Sequence, residues 1–192
     1  MLILEQKPGT KRPVIVRAAT RLFARRGVDA TSMRHIADAS GIREAAIYRH
    51  FTSKEELSRE IFASWYGWYS GQICEIVRGA GSVNEKLRRI AAVELATAEE
   101  HTDAFRYFCE NEPRFLPSLS ADIPKAHAAL LALIRDGQRQ KEIRRGDAGL
   151  LADMLSGALC GAALSWVQRG GPGSLKRHAV LVADACWGLL RA

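Results

Sequence analysis

Apolar residues along this 192-residue chain recur three and four positions apart, and clear alternation of apolar and polar residues is absent. The first pattern places apolar side chains on one face of an α-helix, whereas a half-buried strand needs the second. We therefore predict an all-α protein of about nine helices. An N-terminal three-helix domain would be followed by a C-terminal helical bundle.

Three short helices are predicted in the first quarter of the chain. Pro13 suits the first turn of a helix that stops at Gly27, because proline has no amide hydrogen to donate there. Ser32 can cap a second helix, which Gly41 ends, and a third runs over residues 43–51. Because the turn between the last two is only a few residues long, they form a helix-turn-helix.

Longer helices are predicted after residue 52. Ser53 with Glu56, and Ser82 with Glu85, have the spacing of a capping box, which predicts helices starting near each serine. The first of these helices would link the two domains. A sixth helix opens near residue 102, prolines confine residues 113–122 to an irregular loop, and the last helices are expected at 124–142, 147–169 and 173–190.

The predicted organisation is a flexible basic arm at 1–12, a helix-turn-helix domain at 13–52, a linking helix at 53–78 and a second helical domain at 79–192.

Charge is distributed unevenly along the chain. Residues 1–60 hold 12 Lys and Arg against 7 Asp and Glu, a net charge of +5, while residues 61–192 hold 16 against 14, a net charge of +2. A basic end on a near-neutral body suits a polyanion. A basic helix on a membrane surface is the alternative, but Gly27 and Gly41 break this region into short helices.

Residues that would carry catalysis or bind a metal are scattered along the chain. The four cysteines form no CxxC pair and the histidines lack HxxxH or HExxH spacing, so neither a metal site nor a cofactor is expected. No nucleophile and base can be assembled from local sequence, which argues against an enzyme.

The sequence also bears on the location of the protein. Glu5 and Lys7 follow the first apolar residues so closely that the apolar stretch is too short for a signal peptide, and no uncharged apolar run of about 18 residues marks a membrane span. We expect buried thiols in a reducing cytoplasm.

The third helix has one face for the core and another for a partner. Ile47 and Phe51 are one turn apart and can pack inward. The major groove of DNA admits such a helix, and Ala46 would let its backbone approach and contact a thymine methyl. Lys54, at the positive start of the next helix, could hold a phosphate. A surface Tyr-Arg-His run is usually only a solvated helix face, but the helix-turn-helix around it favours DNA contact. The side chains left to point outward are Arg43, Glu44, Ala46, Tyr48, Arg49 and His50.

Five ordered motifs occupy about residues 13–61: Ala18-Ala19-x-x-Leu22-Phe23-Ala24-x-x-Gly27, Thr31-Ser32-Met33-Arg34-x-Ile36-Ala37, Gly41-Ile42, Ile47-Tyr48-Arg49-His50-Phe51 and Ser53-Lys54-Glu55-Glu56-Leu57. Together they resemble the tetracycline-repressor (TetR/AcrR-like) family of regulators. The resemblance implies base or backbone contacts from Arg34 and Arg43, and phosphate contacts from Tyr48, His50 and Lys54. It also implies that the remaining helices bind a ligand and dimerise. The complete expected DNA interface is Ser32, Arg34, Arg43, Glu44, Ala46, Tyr48, Arg49, His50 and Lys54.

One departure from the family lies at Arg43, where Ser often caps the third helix. Arginine cannot cap in that way, so we expect an altered start of this helix. Arg43 could then contact a guanine, although a phosphate contact is equally allowed.

Aromatic residues are concentrated in the middle of the chain. Several rings with few polar groups are what an apolar ligand cavity requires. The alternative is that most of them form the core stripe of a long helix. The candidate pocket residues, for a small apolar or aromatic effector, are Trp65, Trp68, Tyr69, Phe105 and Phe108.

The last two predicted helices combine large apolar residues with small ones. Small residues permit close helix approach, so these helices could form a two-fold four-helix interface, as the resemblance also implies. Packing within one chain is the alternative. The candidate interface residues are Leu155, Ala158, Ala162, Val182 and Cys186.

These features together predict a ligand-responsive repressor that binds a pseudo-palindromic DNA operator as a homodimer. The alternative from a different class is a helical binding protein or small enzyme that acts on an apolar metabolite without binding DNA. In that case the basic end would only aid solubility.

Overall fold

The computed structural model describes residues 10–192, within which nine α-helices form and extended pairing is limited to one isolated bridge. This confirms the predicted all-α class. Residues 1–9 of the predicted basic arm lie outside the described residues, and Arg12 already belongs to the first helix. The helices are α1 (Arg12–Arg26), α2 (Met33–Ser40), α3 (Glu44–Ile47), α4 (Lys54–Arg78), α5 (Val83–Glu100), α6 (Thr102–Phe115), α7 (Ala126–Arg139), α8 (Ala148–Gln168) and α9 (Ala179–Leu190), with 3₁₀ turns at Leu116–Ser118 and Lys176–His178.

The helices group into two compact units. The first unit contains the described residues up to Trp68 together with Asp103–Ile123. The second contains Tyr69–Thr102 together with Pro124–Ala192. The boundary therefore falls inside α4, and nearly all of α6 belongs with the N-terminal helices. Long-range packing decides this grouping, so local sequence patterns do not indicate it. The functional division at residues 13–52, 53–78 and 79–192 stays a prediction.

The first unit is built around an apolar core under the helix-turn-helix. Ile15 and Phe23 of α1 are fully buried, and they share this core with Ile36 of α2 and Ile47 of α3. Removing one such side chain from water contributes roughly 1.5–3 kcal/mol, so α1 holds the two short helices in place. The other large members of this core are Phe51, Leu57, Ile61, Phe62, Trp65, Tyr66, Tyr107 and Phe115.

The turn between α2 and α3 depends on Gly41. Its φ of +66° is left-handed, and its amide donates to the carbonyl of Ala37, which ends α2. The predicted third helix over 43–51 is too long, because only Glu44–Ile47 is α-helical. The chain continues to Phe51 as a hydrogen-bonded turn. The helical ladder stops there since the amide of Thr52 donates to the Glu56 carboxylate instead of to the preceding turn.

The start of α4 carries the predicted cap in a modified form. Ser53 Oγ accepts from the amide of Glu56 at 3.0 Å, as the capping-box spacing predicts. The Glu56 carboxylate in turn accepts from the hydroxyl of Thr52 at 2.6 Å and from its amide at 2.5 Å. These donors, the hydroxyl first, lower the pKa of Glu56. A charged carboxylate at this position is also favoured by the positive end of α4.

α6 extends two residues beyond Pro113, although the prolines predict a loop over residues 113–122. Proline removes one helical amide and crowds the preceding turn. The last turn forms nevertheless because Phe115 is buried and packs against Phe62, with 5.4 Å between the ring centres. Aromatic burial therefore offsets the backbone cost of Pro113.

The second unit has its own apolar core, formed by α5, α7, α8, α9 and the last turns of α4. Gly137 of α7 lets the chain approach closely, because an added Cβ would lie 2.6 Å from Ile143 Cδ1 and 3.0 Å from Val83 Cγ2. The large members of this core are Ile73, Val83, Leu87, Ile90, Leu130, Leu133, Ile134, Ile143, Leu151, Leu155, Leu159 and Leu190.

The predicted last helix over 173–190 begins later, at Ala179, after a 3₁₀ turn. The Glu99 carboxylate of α5 explains the delay, since it accepts from the amides of Leu175 at 2.6 Å and Lys176 at 2.9 Å. Those amide bonds lower the pKa of Glu99, with the bond from Lys176 the largest cause. The segment before α9 is thus attached to α5 rather than wound into a longer helix.

α8 is long and apolar enough to cross a membrane when judged by length and composition alone. Packing within the chain accounts for part of this apolarity, since 33% of the apolar window is buried. Leu151, Leu155 and Leu159 are buried in the second unit. Asp153 interrupts the apolar run and lies 2.7 Å from the ring of His127 on α7. A core helix of this kind passes the same test as a membrane span.

Candidate DNA interface

The two faces of the segment from α3 to Phe51 differ as the sequence predicts. Ile47 and Phe51 are at most 1% exposed, while Tyr48 is 47% exposed. Arg43, Arg49 and His50 are exposed, and Glu44 and Ala46 are half-buried. The inward side chains hold the segment without any contribution from the outward ones. The outward side chains are therefore available to a partner without a change in the core.

Ser32 and Arg34 lie at the start of α2. Ser32 Oγ accepts from the amide of His35 at 3.1 Å, and the ring Nδ1 of His35 accepts from the amide of Ser32 at 3.2 Å. This reciprocal cap uses His35 where glutamate is usual. Ser32 and Arg34 are both exposed, so the cap leaves them at the surface.

A surface groove of about 400 Å³ brings together three of the predicted residues from three parts of the chain. Ser32 comes from the start of α2, Tyr48 from the end of α3 and Lys54 from the start of α4. Thr52 and Ser53 line the same groove, although the sequence predicted Ser53 only as a helix cap and did not single out Thr52. Hydroxyl groups, a cation and the positive end of a long helix are the groups that bind phosphate oxygens in proteins.

The charge around this groove is partly set by two interactions. Lys54 Nζ donates to the carbonyl of Asp29 at 3.3 Å, which is a long bond that keeps the cation over the groove. The carboxylate of Asp29 lies 3.0 Å from the guanidinium of Arg114. Arg114 partly offsets that negative charge, while Glu55 adds a second carboxylate to the lining of the groove.

Arg43 occupies the N-cap position of α3, with φ of −55° and ψ of 136°. Its side chain makes no capping hydrogen bond. The missing side-chain cap agrees with the chemistry of arginine, and the altered start of this helix stays a prediction. The guanidinium of Arg43 is exposed, so the choice between a guanine and a phosphate contact stays open.

Two further contacts stabilise the first unit beneath the segment from α3 to Phe51, one made by Arg12 and one by Tyr107. The sequence did not predict either contact. The guanidinium of Arg12 lies 4.7 Å from the ring centre of Phe51 and pairs with Glu60. Tyr107 of α6 is fully buried, and its hydroxyl lies 2.7 Å from Ser58 Oγ and donates to the Ser58 carbonyl at 2.6 Å. Burial raises the pKa of Tyr107, so it stays protonated as a donor. No local signal marks either contact, because the partners are 39 to 49 residues apart.

The predicted pocket residues lie in both units. Trp65 and Phe105 are 2% exposed, and Trp68 and Phe108 are half-buried in the first unit. Trp65 meets the edge of Trp68 with 5.3 Å between ring centres, and Phe108 stacks on Phe62 at 5.4 Å. Tyr69 belongs to the second unit, where its hydroxyl donates to the Glu94 carboxylate. The burial of Trp65 and Phe105 also fits the core alternative, so their pocket role stays a prediction.

The predicted interface residues divide into two groups. Leu155 and Cys186 are 1% and 2% exposed and pack inside the core of the second unit, and burial raises the pKa of the Cys186 thiol. Ala158, Ala162 and Val182 are half-buried. The truly exposed apolar residues on the same helices are Leu150, Met154, Val180, Leu181 and Leu189, from 39% to 66% exposed.

Across residues 10–192 the structure places no three His, Cys, Asp or Glu side chains together as a possible metal site. Of the cysteines predicted to be buried thiols, Cys74 and Cys186 are buried, while Cys109 and Cys160 are half-buried. The burial prediction was therefore right for two of the four.

Comparison with known proteins finds a family match over the region of the candidate interface. The family model of bacterial regulatory proteins of the tetR family matches residues 15–61. The transcriptional repressor KstR2 of Mycolicibacterium smegmatis is 33% identical over 113 residues, which cover 59% of this chain and 55% of that repressor. KstR2 of Mycobacterium tuberculosis is 32% identical over 92 residues, or 46% of its length. The chain thus spans about half the length of the curated relatives that it matches.

Solved structures share the architecture of the whole described chain. The ketosteroid transcriptional regulator KstR2 of Mycobacterium tuberculosis superposes with a TM-score of 0.76 at 20% identity, covering 97% of each chain. FadR of Bacillus subtilis, solved in complex with stearoyl-CoA, superposes with a TM-score of 0.73 at 18% identity, covering 90% of this chain and 96% of that one. At these identities the superpositions show the fold. The matched motifs and the helix-turn-helix geometry together identify residues 15–61 as the N-terminal segment that defines the tetR family of bacterial regulatory proteins.

Proposed function

We propose that this protein is a DNA-binding transcriptional repressor that acts as a cytoplasmic homodimer on a pseudo-palindromic operator and responds to a small apolar effector. The observation that carries the proposal is the groove shared by Ser32, Tyr48 and Lys54 beside the exposed, basic side of α3. Regulation rather than catalysis is general in this family, and the relatives described above include named repressors.

In the proposed complex, α3 enters the major groove and its flanks hold the backbone. Arg43, Ala46 and Arg49 would face base edges or the adjoining backbone. Ser32, Tyr48 and Lys54 would bind one phosphate in their groove, and Arg34 and His50 would contact neighbouring phosphates. Glu44, half-buried at the first turn of α3, would accept from a cytosine amino group or reject other bases.

Two protomers would place their α3 segments about one helical turn of DNA apart. The proposed dimer surface is the exposed apolar side of α8 and α9, with Leu150 and Met154 on one helix and Leu181 and Leu189 on the other. Half-buried Ala158, Ala162 and Val182 would lie at its margin. Leu155 and Cys186 would support it from inside, because both are already covered within one chain.

The effector is proposed to be a small apolar molecule. Trp68 and Phe108, both half-buried in the first unit, are the candidates for contact with it. Structural neighbours include a ketosteroid regulator and a regulator bound to stearoyl-CoA, which supports an apolar ligand. The effector must bind more tightly to the conformation that releases DNA, since equal affinity for both would shift nothing.

The test is selection of bound duplexes from a random DNA library with the full chain, followed by salt titration of the selected site. We expect two half-sites with two-fold symmetry and an affinity that falls steeply with salt. The Tyr48→Ala, Lys54→Ala double variant should lose operator binding while its circular dichroism spectrum stays helical. Equal operator affinity of this variant and the wild type would favour the alternative, a helical binding protein or small enzyme without a DNA target.

A further inference from the structure

The turn between α1 and α2 forms part of the wall of the surface groove at the candidate DNA interface. Its backbone is fixed locally, because the hydroxyl of Thr31 donates to the carbonyl of Gly27 at 2.8 Å and the amide of Thr31 donates to the carbonyl of Val28 at 3.2 Å. Val28 and Thr31 are 3% and 2% exposed, whereas the side chain of Asp29 is 86% exposed. The turn therefore holds a carboxylate at the surface beside the groove.

The lining of this groove does not favour an anion by its own charges. Among the residues that line it, Asp29 and Glu55 are carboxylates and Lys54 is a cation, so the lining has a net charge of −1. A negative lining repels a phosphate and lowers the effect of the cation. Phosphate binding in this groove consequently depends on a positive charge supplied from outside its lining.

Two cations from different helices contact Asp29. Lys54, at the start of α4, donates from Nζ to the backbone carbonyl of Asp29 at 3.3 Å. Arg114, in the last turn of α6, donates from Nη1 to the carboxylate of Asp29 at 3.0 Å. Arg114 is 85 residues from Asp29 and lies outside residues 15–61, which match the family model. It is therefore a cation from outside the helix-turn-helix that reaches the wall of the groove.

The position of Arg114 depends on the turn of α6 that forms beyond Pro113. Its guanidinium lies 5.4 Å from the ring centre of Phe115, and Phe115 is 7% exposed and packs against Phe62 of α4. A cation in the last turn of a helix is also favoured by the helix dipole. Since these contacts restrict the arginine side chain before it meets Asp29, less entropy is lost when the ion pair forms.

The ion pair has two consequences for the groove. It offsets the charge of the Asp29 carboxylate, which would otherwise repel a phosphate and compete with it for the ammonium group of Lys54. It also leaves only the backbone carbonyl of Asp29 to accept from Lys54. An exposed pair of this kind contributes little to the free energy of unfolding. Its main effect is therefore expected on anion binding.

We propose that Arg114 is a positioning residue for operator binding, which strengthens the phosphate contact of Lys54 by pairing with Asp29. The inference rests on the function proposed above and adds to it a determinant of affinity outside the helix-turn-helix. Arg114 acts through the Asp29 carboxylate and does not touch DNA. An arginine that bound phosphate directly would act independently of Asp29, which makes the two roles separable.

The test is a double-mutant cycle on the full chain, in which fluorescence anisotropy measures affinity for the selected duplex at low salt. Arg114→Met keeps an apolar stem beside Phe115 but leaves Asp29 unpaired, so it should weaken binding about three- to tenfold. Asp29→Asn should suppress this loss, because no carboxylate then remains to be offset. An equal loss from Arg114→Met with and without Asp29→Asn would show direct contact with DNA and overturn the proposal.

Arg139→Met is the matched control, since it breaks an exposed arginine–aspartate pair within α7 of the second unit and changes the net charge equally. It should change operator affinity less than about twofold, because it is not part of the groove. Both methionine variants should keep the Tm within about two degrees of the wild type. A much lower Tm for Arg114→Met alone would show that Arg114 acts by stabilising the fold, and the proposed role would be wrong.

Selection of a duplex separates this inference from the proposed function. A wild-type chain that selects no duplex would overturn both, because Arg114 would have no operator contact to strengthen. A chain that selects a duplex and binds it equally tightly with and without Arg114→Met would retain the regulator and overturn only the role of Arg114.

Discussion

The outward side of α3 and the outward sides of α8 and α9 are both exposed, yet their chemistry is opposite. In the segment from α3 to Phe51 the exposed residues include Tyr48, His50 and the cations Arg43 and Arg49. On α8 and α9 they include Leu150 at 60% and Leu181 at 66% exposure. A charged surface suits a polyanion that keeps much of its water, whereas an exposed apolar surface is stabilised by a partner that removes water. The difference supports the two proposals that DNA binds to the first unit and that a second copy of the chain binds to the second.

The largest expected effect comes from placing a charge on the apolar surface. Leu181→Glu should raise the dimer dissociation constant about 10²- to 10³-fold, because the interface would have to bury an unpaired carboxylate. Sedimentation velocity would show a monomer at micromolar concentration. Ala92→Glu, exposed on α5, is the control and should stay dimeric. A dimeric Leu181→Glu protein would mean that the two copies meet through another surface.

The next effect concerns a hydrogen bond in the buried core of the first unit. Tyr107→Phe removes the donor to the Ser58 carbonyl inside the core and should cost about 2 kcal/mol, or roughly 4–8 °C in Tm. Tyr48→Phe removes an exposed hydroxyl and should leave the Tm unchanged. Differential scanning calorimetry compares them. Equal Tm values for the two variants would show that the Ser58 bond does not stabilise this unit.

A smaller effect is expected at the surface groove lined by Ser32, Tyr48 and Lys54. Lys54→Met should weaken operator binding about tenfold at low salt and reduce the slope of log affinity against log salt by about 0.9 for one phosphate contact. Arg145→Met removes the same charge from the second unit and should leave the slope unchanged. Fluorescence anisotropy over a salt series measures both. If the two variants gave one slope, Lys54 would act only through net charge.

The smallest effect is the pH dependence of the α4 cap. Thr52 lowers the pKa of Glu56 below its ordinary value of 4.5, so its contribution to stability is present above that pH and is lost as pH falls through the lowered pKa. Glu56→Gln should therefore lower the Tm at pH 7 by roughly one or two degrees, and the gap should close in acid. Glu55→Gln, one residue earlier and exposed, is the control. A gap that stayed constant from neutral to acid pH would exclude the carboxylate as its cause.

Predictions from the sequence agree with the structure where the residues that decide a feature lie within a few positions of one another. Ser82 and Glu85 form the predicted reciprocal cap, and Gly41 ends α2 in the left-handed conformation, because these effects need only adjacent turns. Ile47 and Phe51 face inward because their spacing matches one helical turn. The length of α3 and the extension of α6 past Pro113 could not be predicted, since the first depends on Thr52 binding Glu56 and the second on Phe115 packing against Phe62.

The predicted dimer-interface residues of α8 and α9 also show that local sequence patterns do not determine which side of a helix is buried. Small and apolar residues recur so densely on α8 and α9 that periodicity does not say which side faces the core. Leu155 and Cys186 are inside, while Leu181 and Met154 are outside. A helix that is apolar all round has two possible buried sides, and only its neighbours choose between them.

The amino-acid sequence by itself determined the helical class, the helix-turn-helix and its basic character, because helical periodicity, capping residues and charge are properties of short segments. Only the tertiary structure decided that α6 belongs with the N-terminal helices and that Ser32, Tyr48 and Lys54 share one groove. Those relations join residues that are distant along the chain, and the packing of buried side chains sets the distances between them.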